Sequence, residues 1–285
     1  MQEISEHVFI ERSYPGVTLG AINWPHGLVL IDAPFRADDC RAWRSALLNL
    51  GGGVDRLLVN LDAHVDRTLG VRAMESTIAG HEKMAQVFRT RPVTFKTQGV
   101  ETGAEWELYN GLGTIRWSPP DITFSESMQI NWGDHPLVLE HHPGPASGAI
   151  WAVLSSLNLA FVGDVVVFDQ PPFLAAADLP AWLQTLELLA SPTYQNYLLI
   201  NGRNGLVTQK HVRHMLDFLK EVQAMLRQLS DSRAVPADTA ALVPVLLKFF
   251  DIPVQRTEQY TNRLKWGLVK CFIRNFQPAG DELDE

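Results

Sequence analysis

The chain has 285 residues, of which 46% are hydrophobic and 20% charged, and its formal net charge is −8. This composition is typical of a globular protein large enough to form a substantial core. A negative net charge argues against nucleic acid as a partner, because surfaces that bind nucleic acids are usually basic. No apolar run approaches the roughly 18 residues that a transmembrane helix needs, so we expect no membrane partner.

The start of the chain and its cysteines bear on location. Residues 1–7 are acidic and contain no apolar segment typical of a secretory signal, so we expect a cytoplasmic protein. Cys40 and Cys271 lie far apart and outside any cysteine–histidine cluster, and we expect two reduced thiols rather than a disulfide. The sequence leaves the oligomeric state open, including a homo-oligomer.

Residues 6–50 predict a β-meander followed by a helix. Three strand-like segments, at 7–11, 17–22 and 28–32, are separated by turns that contain proline and glycine. The third segment ends in Asp32, which we interpret either as a turn or helix N-terminal residue or as part of a functional site. An amphipathic helix is predicted at 37–50, because its apolar residues share one face, and the three glycines that follow are expected to end it.

Side chains that can bind metals follow the next predicted strand. The apolar run 57–59 is typical of a buried strand. Asp62, His64 and Asp66 follow at a spacing of two, and Arg67 comes directly after them. Such a strand directs several side chains toward one point above the edge of its sheet. The pattern therefore predicts a cation site or a catalytic site.

The rest of the chain predicts strands followed by helices. Strands are expected within 121–140 and at 150–154, 159–164 and 197–200. Helices are expected at 67–79, at 81–89, after the N-cap residue Asp178, from residue 208, and in two further segments after 234–238. In the last helix, apolar residues from 260 to 276 recur every four positions among several basic residues, which predicts a packed amphipathic helix.

The segment after strand 57–59 resembles the T-H-x-H-x-D-H signature of the metallo-β-lactamase superfamily. Without a gap, the first histidine of the signature corresponds to Asp62 and the second to His64. The aspartate corresponds to Asp66 and the last histidine to Arg67. Two of the four positions therefore match in type.

Four other stretches within residues 6–230 resemble the same superfamily: G-L-V-L-I-D-A, H-H-P-G-P-A-S-G-A, F-V-G-D-V and I-N-G-R-N-G-L-V-T. The first ends in Asp32, and the third contains the residue that matches the bridging aspartate, Asp164. In the second, the metal-binding histidine corresponds to Pro145, and His142 is a candidate to supply an imidazole there. In the fourth, the late histidine corresponds to Arg203 or Asn204, depending on the alignment.

The resemblance implies an α/β protein of the α+β type with a four-layer αββα sandwich. It predicts a metallo-β-lactamase-like domain at 1–231 and a C-terminal helical extension at 232–285 packed on it. In this superfamily, loops and the C-terminal part select the substrate. The corresponding segments are 98–121 and 236–285, and neither contains a motif that identifies a ligand.

We favour the interpretation that the site binds no metal or binds one weakly, because ligands are missing from both halves of the superfamily's site. Converging carboxylates repel one another and need a counter-charge. Arg67 and Arg203 would supply that charge, and the pocket would serve small-molecule binding or assembly. Asp32, His142, Arg203 and Asn204 are the candidate pocket residues.

The alternative is a divergent hydrolase with one divalent ion, such as Mn, Fe or Zn, held by Asp62, His64 and Asp164. A metal-bound water would attack an ester, thioester or phosphoester. Asp66 would orient that water, and Asp66 and Arg67 are the candidate catalytic residues. The sequence leaves catalytic activity open.

Overall fold

The structure is a computed structural model that describes residues 1–96 and 101–276. Its strands, in chain order, are β1 (Gln2–Ser5), β2 (Val8–Glu11), β3 (Leu19–Asn23), β4 (Gly27–Ile31), β5 (Asp55–Val59), β6 (Thr77–His81), β7 (Ile122–Phe124), β8 (Ser127–Ile130), β9 (Leu137–His141), β10 (Ile150–Leu154), β11 (Leu159–Gly163), β12 (Leu198–Asn201) and β13 (Gly205–Val207).

These strands form two sheets. The first sheet has the order β1-β2-β3-β4-β5-β6-β7, and the second has the order β13-β12-β11-β10-β9-β8. Most neighbours are antiparallel, but β4, β5, β6 and β7 pair in parallel, as do β11 and β12. The carboxyl ends of these parallel strands carry the candidate site.

The helices are α1 (Ala37–Leu47), α2 (Val65–Thr68), α3 (Glu82–Thr90), α4 (Leu179–Leu189), α5 (Gln209–Asp231), α6 (Val243–Leu246) and α7 (Thr257–Phe276). Short 3₁₀ turns lie at Leu48–Leu50, Val71–Met74, Glu105–Leu108, Ser155–Leu157, Pro236–Leu242, Leu247–Phe249 and Val254–Arg256. Within the described residues, each helix is too short or too polar to cross a bilayer.

Apolar side chains fill three interfaces between four layers. The two sheets enclose one core, to which Val59 of β5 and Phe161 of β11 belong. The helix α1 covers the outer face of the first sheet through Trp43. The helices α4, α5 and α7 cover the outer face of the second sheet, with Trp182 and Phe218 at its centre. The αββα sandwich predicted from the sequence is confirmed.

The predicted helix at 67–79 is wrong. The chain makes only the short helix α2 and a 3₁₀ turn there, and then enters strand β6. Gly70 lies so close to α1 and the residues before it that a Cβ there would be 2.2 Å from the carbonyl oxygen of Pro34 and 2.7 Å from Cys40 Sγ. Glu75 then takes a left-handed conformation with φ of 51°, which ends helical geometry. Pairing of β6 with β5 and β7 outweighs the local helical pattern.

The helices after residue 236 share the core of the second sheet. Leu264, Leu268 and Phe272 of α7 belong to the same apolar cluster as Trp182 of α4. The division at 231/232 stays a prediction, although the C-terminal helices pack on the sandwich. Residues 97–100 and 277–285, which belong partly to the predicted substrate-selecting segments, lie outside the described residues.

Candidate functional site

Four strand ends bring charged side chains together between the two sheets. Asp32 follows β4, and the loop after β5 carries residues 62–67. Asp164 follows β11, and Arg203 lies in the turn between β12 and β13. The group formed by Asp32, Asp62, His64, Asp66, Arg67, Asp164 and Arg203 is called the Asp164 cluster below.

Arg67 lies at the centre of this cluster and is fully buried. Its Nη1 is 3.3 Å from Asp32 Oδ2, and its Nη2 donates to Asp164 Oδ1. Its Nε lies 3.4 Å from Asp62 Oδ1. A Cβ on Gly202 would be 2.6 Å from Arg67 Nη2, so the guanidinium occupies space that only glycine leaves open.

Arg203 approaches the same aspartate from the second sheet. Its Nε and Nη2 donate to Asp164 Oδ2 at 2.9 and 2.8 Å, and its Nη1 donates to Asp66 Oδ2 at 3.0 Å. Both oxygens of Asp164 are therefore bound to guanidinium groups. Burial alone would raise the pKa of Asp164, but Arg203 and Arg67 hold it below its usual value.

His64 uses one ring nitrogen inside the protein. Its Nδ1 lies 3.2 Å from both the backbone N–H of Asp66 and Arg203 Nη2, and both groups are donors. The proton is therefore assigned to Nε2. Burial and the charge of Arg203 lower the pKa of His64 to about 3, so the imidazole is neutral near pH 7.

The predicted catalytic pair, Asp66 and Arg67, lies within the cluster but away from the cavity. Asp66 is fully buried, and its carboxylate accepts the backbone N–H groups of Glu105 and Trp106 at 3.3 and 3.0 Å as well as Arg203. Neither Asp66 nor Arg67 lines the cavity described below. The geometry therefore gives both residues a supporting position.

Asp32 and Asp62 differ in their surroundings. Asp32 is fully buried at a φ of 58° and accepts the backbone N–H of Leu61 at 3.0 Å. Burial raises its pKa to about 7, although Arg67 opposes the shift. Asp62 Oδ1 accepts the backbone N–H of His64 at 2.8 Å, and burial raises its pKa also. Asp62 lines the cavity, whereas Asp32 holds the loop from behind.

Two predicted pocket residues point elsewhere. His142 stacks on Trp151 at 3.7 Å between ring centroids, and its Nε2 lies 3.1 Å from Glu140 Oε2, so its contacts do not join it to the Asp164 cluster. Asn204 Oδ1 accepts from Asn201 Nδ2 at 3.2 Å. Of the two alignments at this loop, the structure thus brings Arg203 to the cluster.

Asn201, which the sequence analysis did not single out, explains that choice. Its Oδ1 accepts the backbone N–H groups of Arg203, Asn204 and Gly205 at 3.1, 2.6 and 3.0 Å. Its Nδ2 donates to the carbonyl oxygen of Val166 at 2.8 Å. An asparagine directly before a Gly-x-x-Gly turn was the available signal, because asparagine side chains often close such turns.

Sequence reasoning also missed a stack of side chains beside the cluster. The Phe173 ring lies between two guanidinium groups, with its centroid 4.5 Å from Arg203 Cζ and 4.1 Å from Arg263 Cζ. The ring also contacts His64 at 4.3 Å between centroids. Because Arg263 belongs to α7, the C-terminal helix reaches the site directly.

A cavity of about 320 Å³ opens beside the cluster. We call it the Asp62 cavity. Asp62, His64 and Asp164 form one polar side, and Arg91 and Arg274 also line the cavity. The rest of its wall comes from α3, from the loop at 145–148, from the segment at 173–176 and from α7, and consists mainly of apolar side chains.

Comparison with known proteins identifies the fold. No protein-family profile and no curated protein sequence matches the chain. Among solved structures, a metallo-β-lactamase from Pontibacter korlensis is 20% identical, with a TM-score of 0.61 over 77% of this chain and 97% of its own. A metallo-β-lactamase family protein from Thermus thermophilus is 15% identical, with a TM-score of 0.65, and the match covers 95% of this chain and 94% of that protein.

A third similar structure is the stereoselective inverting sec-alkylsulfatase from Pseudomonas sp. It is 14% identical, with a TM-score of 0.65, and the match covers 95% of this chain and 49% of the sulfatase. At these identities the likeness concerns the fold. The chain has the metallo-β-lactamase fold, and the resemblance inferred from its sequence is confirmed at that level.

The side chains do not fit the divalent ion that the resemblance implies. Within 1–96 and 101–276, no group of three or more His, Cys, Asp or Glu side chains is arranged to hold a metal ion. Both oxygens of Asp164 and the Nδ1 of His64 already face guanidinium groups. Arginine stays protonated in proteins and cannot act as a metal ligand.

Proposed function

We propose that this protein binds a small molecule in the Asp62 cavity, at a site where two guanidinium groups replace metal ions. The observation that carries the proposal is the pairing of both Asp164 oxygens with Arg67 and Arg203. Three separate N–H groups donate to this one carboxylate. The site is then a permanently assembled binding wall rather than a metal centre.

Charge balance supports this view. A buried carboxylate costs several kcal/mol unless it is paired and hydrogen-bonded. The four aspartates of the cluster lie within the reach of two arginines that cannot lose their protons at neutral pH. A bound cation would add charge where both oxygens of Asp164 are already paired, and it would have to displace a guanidinium group to reach them.

The cavity supports a binding role. Its volume of about 320 Å³ lies at the lower end of the range usual for small-molecule sites, and it combines apolar walls with a few convergent polar groups. An assembly role is the other non-catalytic form of this proposal.

A hydrolase is the competing function, and one observation favours it. Asp62, His64 and Asp164, the candidate ligands of a single metal ion, all line the cavity. The similar structures described above are a metallo-β-lactamase, a metallo-β-lactamase family protein and a sec-alkylsulfatase. This alternative requires Arg203 to leave Asp164.

Elemental analysis separates the two functions. The protein is produced without added metal, incubated with Zn, Mn or Fe, and passed through a desalting column before measurement. We expect metal far below one ion per chain, and the same result for Asp164→Ala and for the control Asp134→Ala, which changes an exposed residue. Near-stoichiometric metal that Asp164→Ala loses and Asp134→Ala keeps would refute the proposal and favour the hydrolase.

A further inference from the structure

We propose that the ligand of the Asp62 cavity is an organic anion with an apolar body, and that Arg91 binds its charged group. The inference rests on the proposed function, because it assigns to an arginine the ligand recognition that a metal ion would otherwise provide. It names the chemical class of ligand that this cavity would select.

Arg91 is held in the cavity wall with one donor unused. Its Nη2 donates to the carbonyl oxygen of Ala63 at 2.7 Å, and its Cζ lies 4.4 Å from the centroid of the Trp117 ring. The same Cζ lies 4.9 Å from the Phe88 ring centroid. Its Nη1 is buried and has no hydrogen-bond partner within the described residues. These contacts fix the guanidinium beside the cavity and leave one of its donors without an acceptor in that part of the chain.

An unpaired donor of this kind is a reason to expect an acceptor. Leaving a buried polar group without a partner costs about 1–3 kcal/mol. Burial lowers the pKa of Arg91 to about 10, so the group is still charged at neutral pH. A carboxylate or similar oxyanion would satisfy the donor and the charge together.

The chain as a whole carries −8, but the charges around the cavity balance, so an anion meets no excess of negative charge there. The wall and the layer directly behind it contain five arginines and five carboxylates, the fifth carboxylate being Glu107, which accepts from Thr102 in the wall. The arginines are Arg67, Arg91, Arg203, Arg263 and Arg274, and the aspartates are Asp32, Asp62, Asp66 and Asp164. The nearby pair of Glu105 and Arg256 adds no net charge.

The remaining wall suits an apolar body. Met84 and Val87 of α3 face the cavity together with Phe173 and with Trp266 of α7. A flat or aliphatic group would be desolvated between these side chains, which is favourable by roughly 25 cal/mol for each Å² of apolar surface buried. A strongly hydrated ligand such as a free phosphate would leave this wall unused.

Three probes of similar size and different charge test the proposed ligand class. They are naphthalene-2-carboxylate, 2-naphthylmethanol and 2-naphthylmethylammonium. Their binding to protein that elemental analysis finds free of metal is measured by isothermal titration calorimetry. We expect the carboxylate to bind about tenfold or more tightly than the alcohol, because a hydrogen bond to a charged group contributes about 1.5–3 kcal/mol. The ammonium should bind most weakly.

Two variants connect the selectivity to the wall. Arg91→Met should weaken carboxylate binding about tenfold or more and leave alcohol binding nearly unchanged. The control Arg89→Met removes an exposed arginine from the last turn of α3, two residues before Arg91, and should change neither affinity. Val87→Glu, which keeps Arg91, should weaken carboxylate binding and strengthen ammonium binding, so the inference is testable even if Arg91→Met does not fold.

The outcomes separate this inference from the proposed function. Equal or tighter binding of the alcohol or the ammonium, carboxylate affinity that survives Arg91→Met, or no carboxylate binding to metal-free protein would each overturn the ligand class. None of these results bears on whether the protein binds metal, so the proposed function would stand. Stoichiometric metal would instead refute the proposed function before any probe is added.

Discussion

Asp164 receives guanidinium groups from both halves of the sandwich. Arg67 comes from α2, beside the first sheet, and Arg203 comes from the turn after β12 in the second sheet. Because each arginine also contacts another aspartate, removing any one of the three residues takes a partner away from at least one buried charge. The three residues should therefore be strongly coupled in stability.

A double-mutant cycle measures that coupling. We expect Asp164→Asn and Arg203→Met each to lower the free energy of unfolding by about 3–5 kcal/mol, the usual loss when one partner of a buried pair is removed. The double variant should lose clearly less than the sum of the two, since neither charge is then left alone. Urea denaturation provides the values. The exposed pair of Asp38 and Arg41 is the control and should contribute well under about 1 kcal/mol. Additive losses in the buried pair would contradict this account.

At the level of single residues, the sequence predicted which side chains converge but not how they are used. Asp62, His64, Asp164, Arg67 and Arg203 meet as the resemblance implied. The choice between Arg203 and Asn204 depended on hydrogen bonds to Asn201, which local spacing does not reveal. The position of His142 depended on stacking against Trp151, a contact between neighbouring strands.

Among the elements, α7 is the one that connects the C-terminal helices to the site. Arg263 is almost fully buried. Its Nη2 donates to the carbonyl oxygen of Gly103 at 2.8 Å, and its Nη1 donates to that of Pro171 at 2.9 Å. Arg256 binds the Glu105 carboxylate at 2.9 Å. The segment held in this way supplies the backbone N–H groups that bind Asp66.

Arg263→Met should therefore loosen that segment. We expect a loss of about 2–4 kcal/mol in the free energy of unfolding, because several buried acceptors lose their donors. Hydrogen exchange at the Trp106 amide should accelerate more than the global loss explains. The control Lys265→Met, at an exposed position of the same helix, should do neither. If Arg263→Met behaved like the control, α7 would not position the Asp66 loop.

The N-terminus of α3 gives a prediction for pH. His81 caps this helix by accepting the backbone N–H of Lys83 at 3.1 Å, and its ring stacks on His141 at 3.8 Å. Burial lowers the pKa of His81. The unfolded chain binds a proton near pH 6.5 and the folded chain does not, so stability should fall as the pH drops below about 6.5.

His81→Asn keeps a capping side chain and removes this titration. Between pH 7 and 5, the variant should lose less stability than the unmodified protein, as measured by urea denaturation at each pH. His135→Asn, at an exposed position, should follow the unmodified protein. Parallel curves for all three proteins would show that His81 titrates alike in both states. The stacking partner of His81 lies on β9, about 60 residues away, and a local sequence pattern cannot reveal such a contact.

Helices and strands were predicted well where the apolar residues recur with a clear period. They were predicted poorly where pairing between strands determines the structure. The α1 and α5 stripes and the apolar runs of β4, β5 and β11 matched the structure. Residues 77–81 were expected to be partly helical and instead complete a parallel sheet, because β5 and β7 were available on both sides. Arg263 was grouped with the basic residues around α7, although its partners Gly103 and Pro171 bury it.

For the whole molecule, the fold follows from the arrangement of strands and helices, whereas the function depends on charge placement within it. The order of strands and helices and the spacing of the five resembling stretches were sufficient to predict the αββα sandwich. The fold has been retained while histidine positions of the superfamily signature carry aspartate, arginine and proline. The geometry of Arg67 and Arg203 supports the proposal that the site is stable without a bound ion.

Chemical denaturation with and without metal tests this central claim most directly. The midpoint and slope of unfolding are measured in EDTA and again with excess Zn, Mn or Fe. The account predicts the same midpoint in all four conditions, because no bound ion contributes to the folded state. An ion bound at a thousand times its Kd would add about 4 kcal/mol. A metal-dependent rise of that kind, lost in Asp164→Ala, would contradict the replacement of metal ions by arginines.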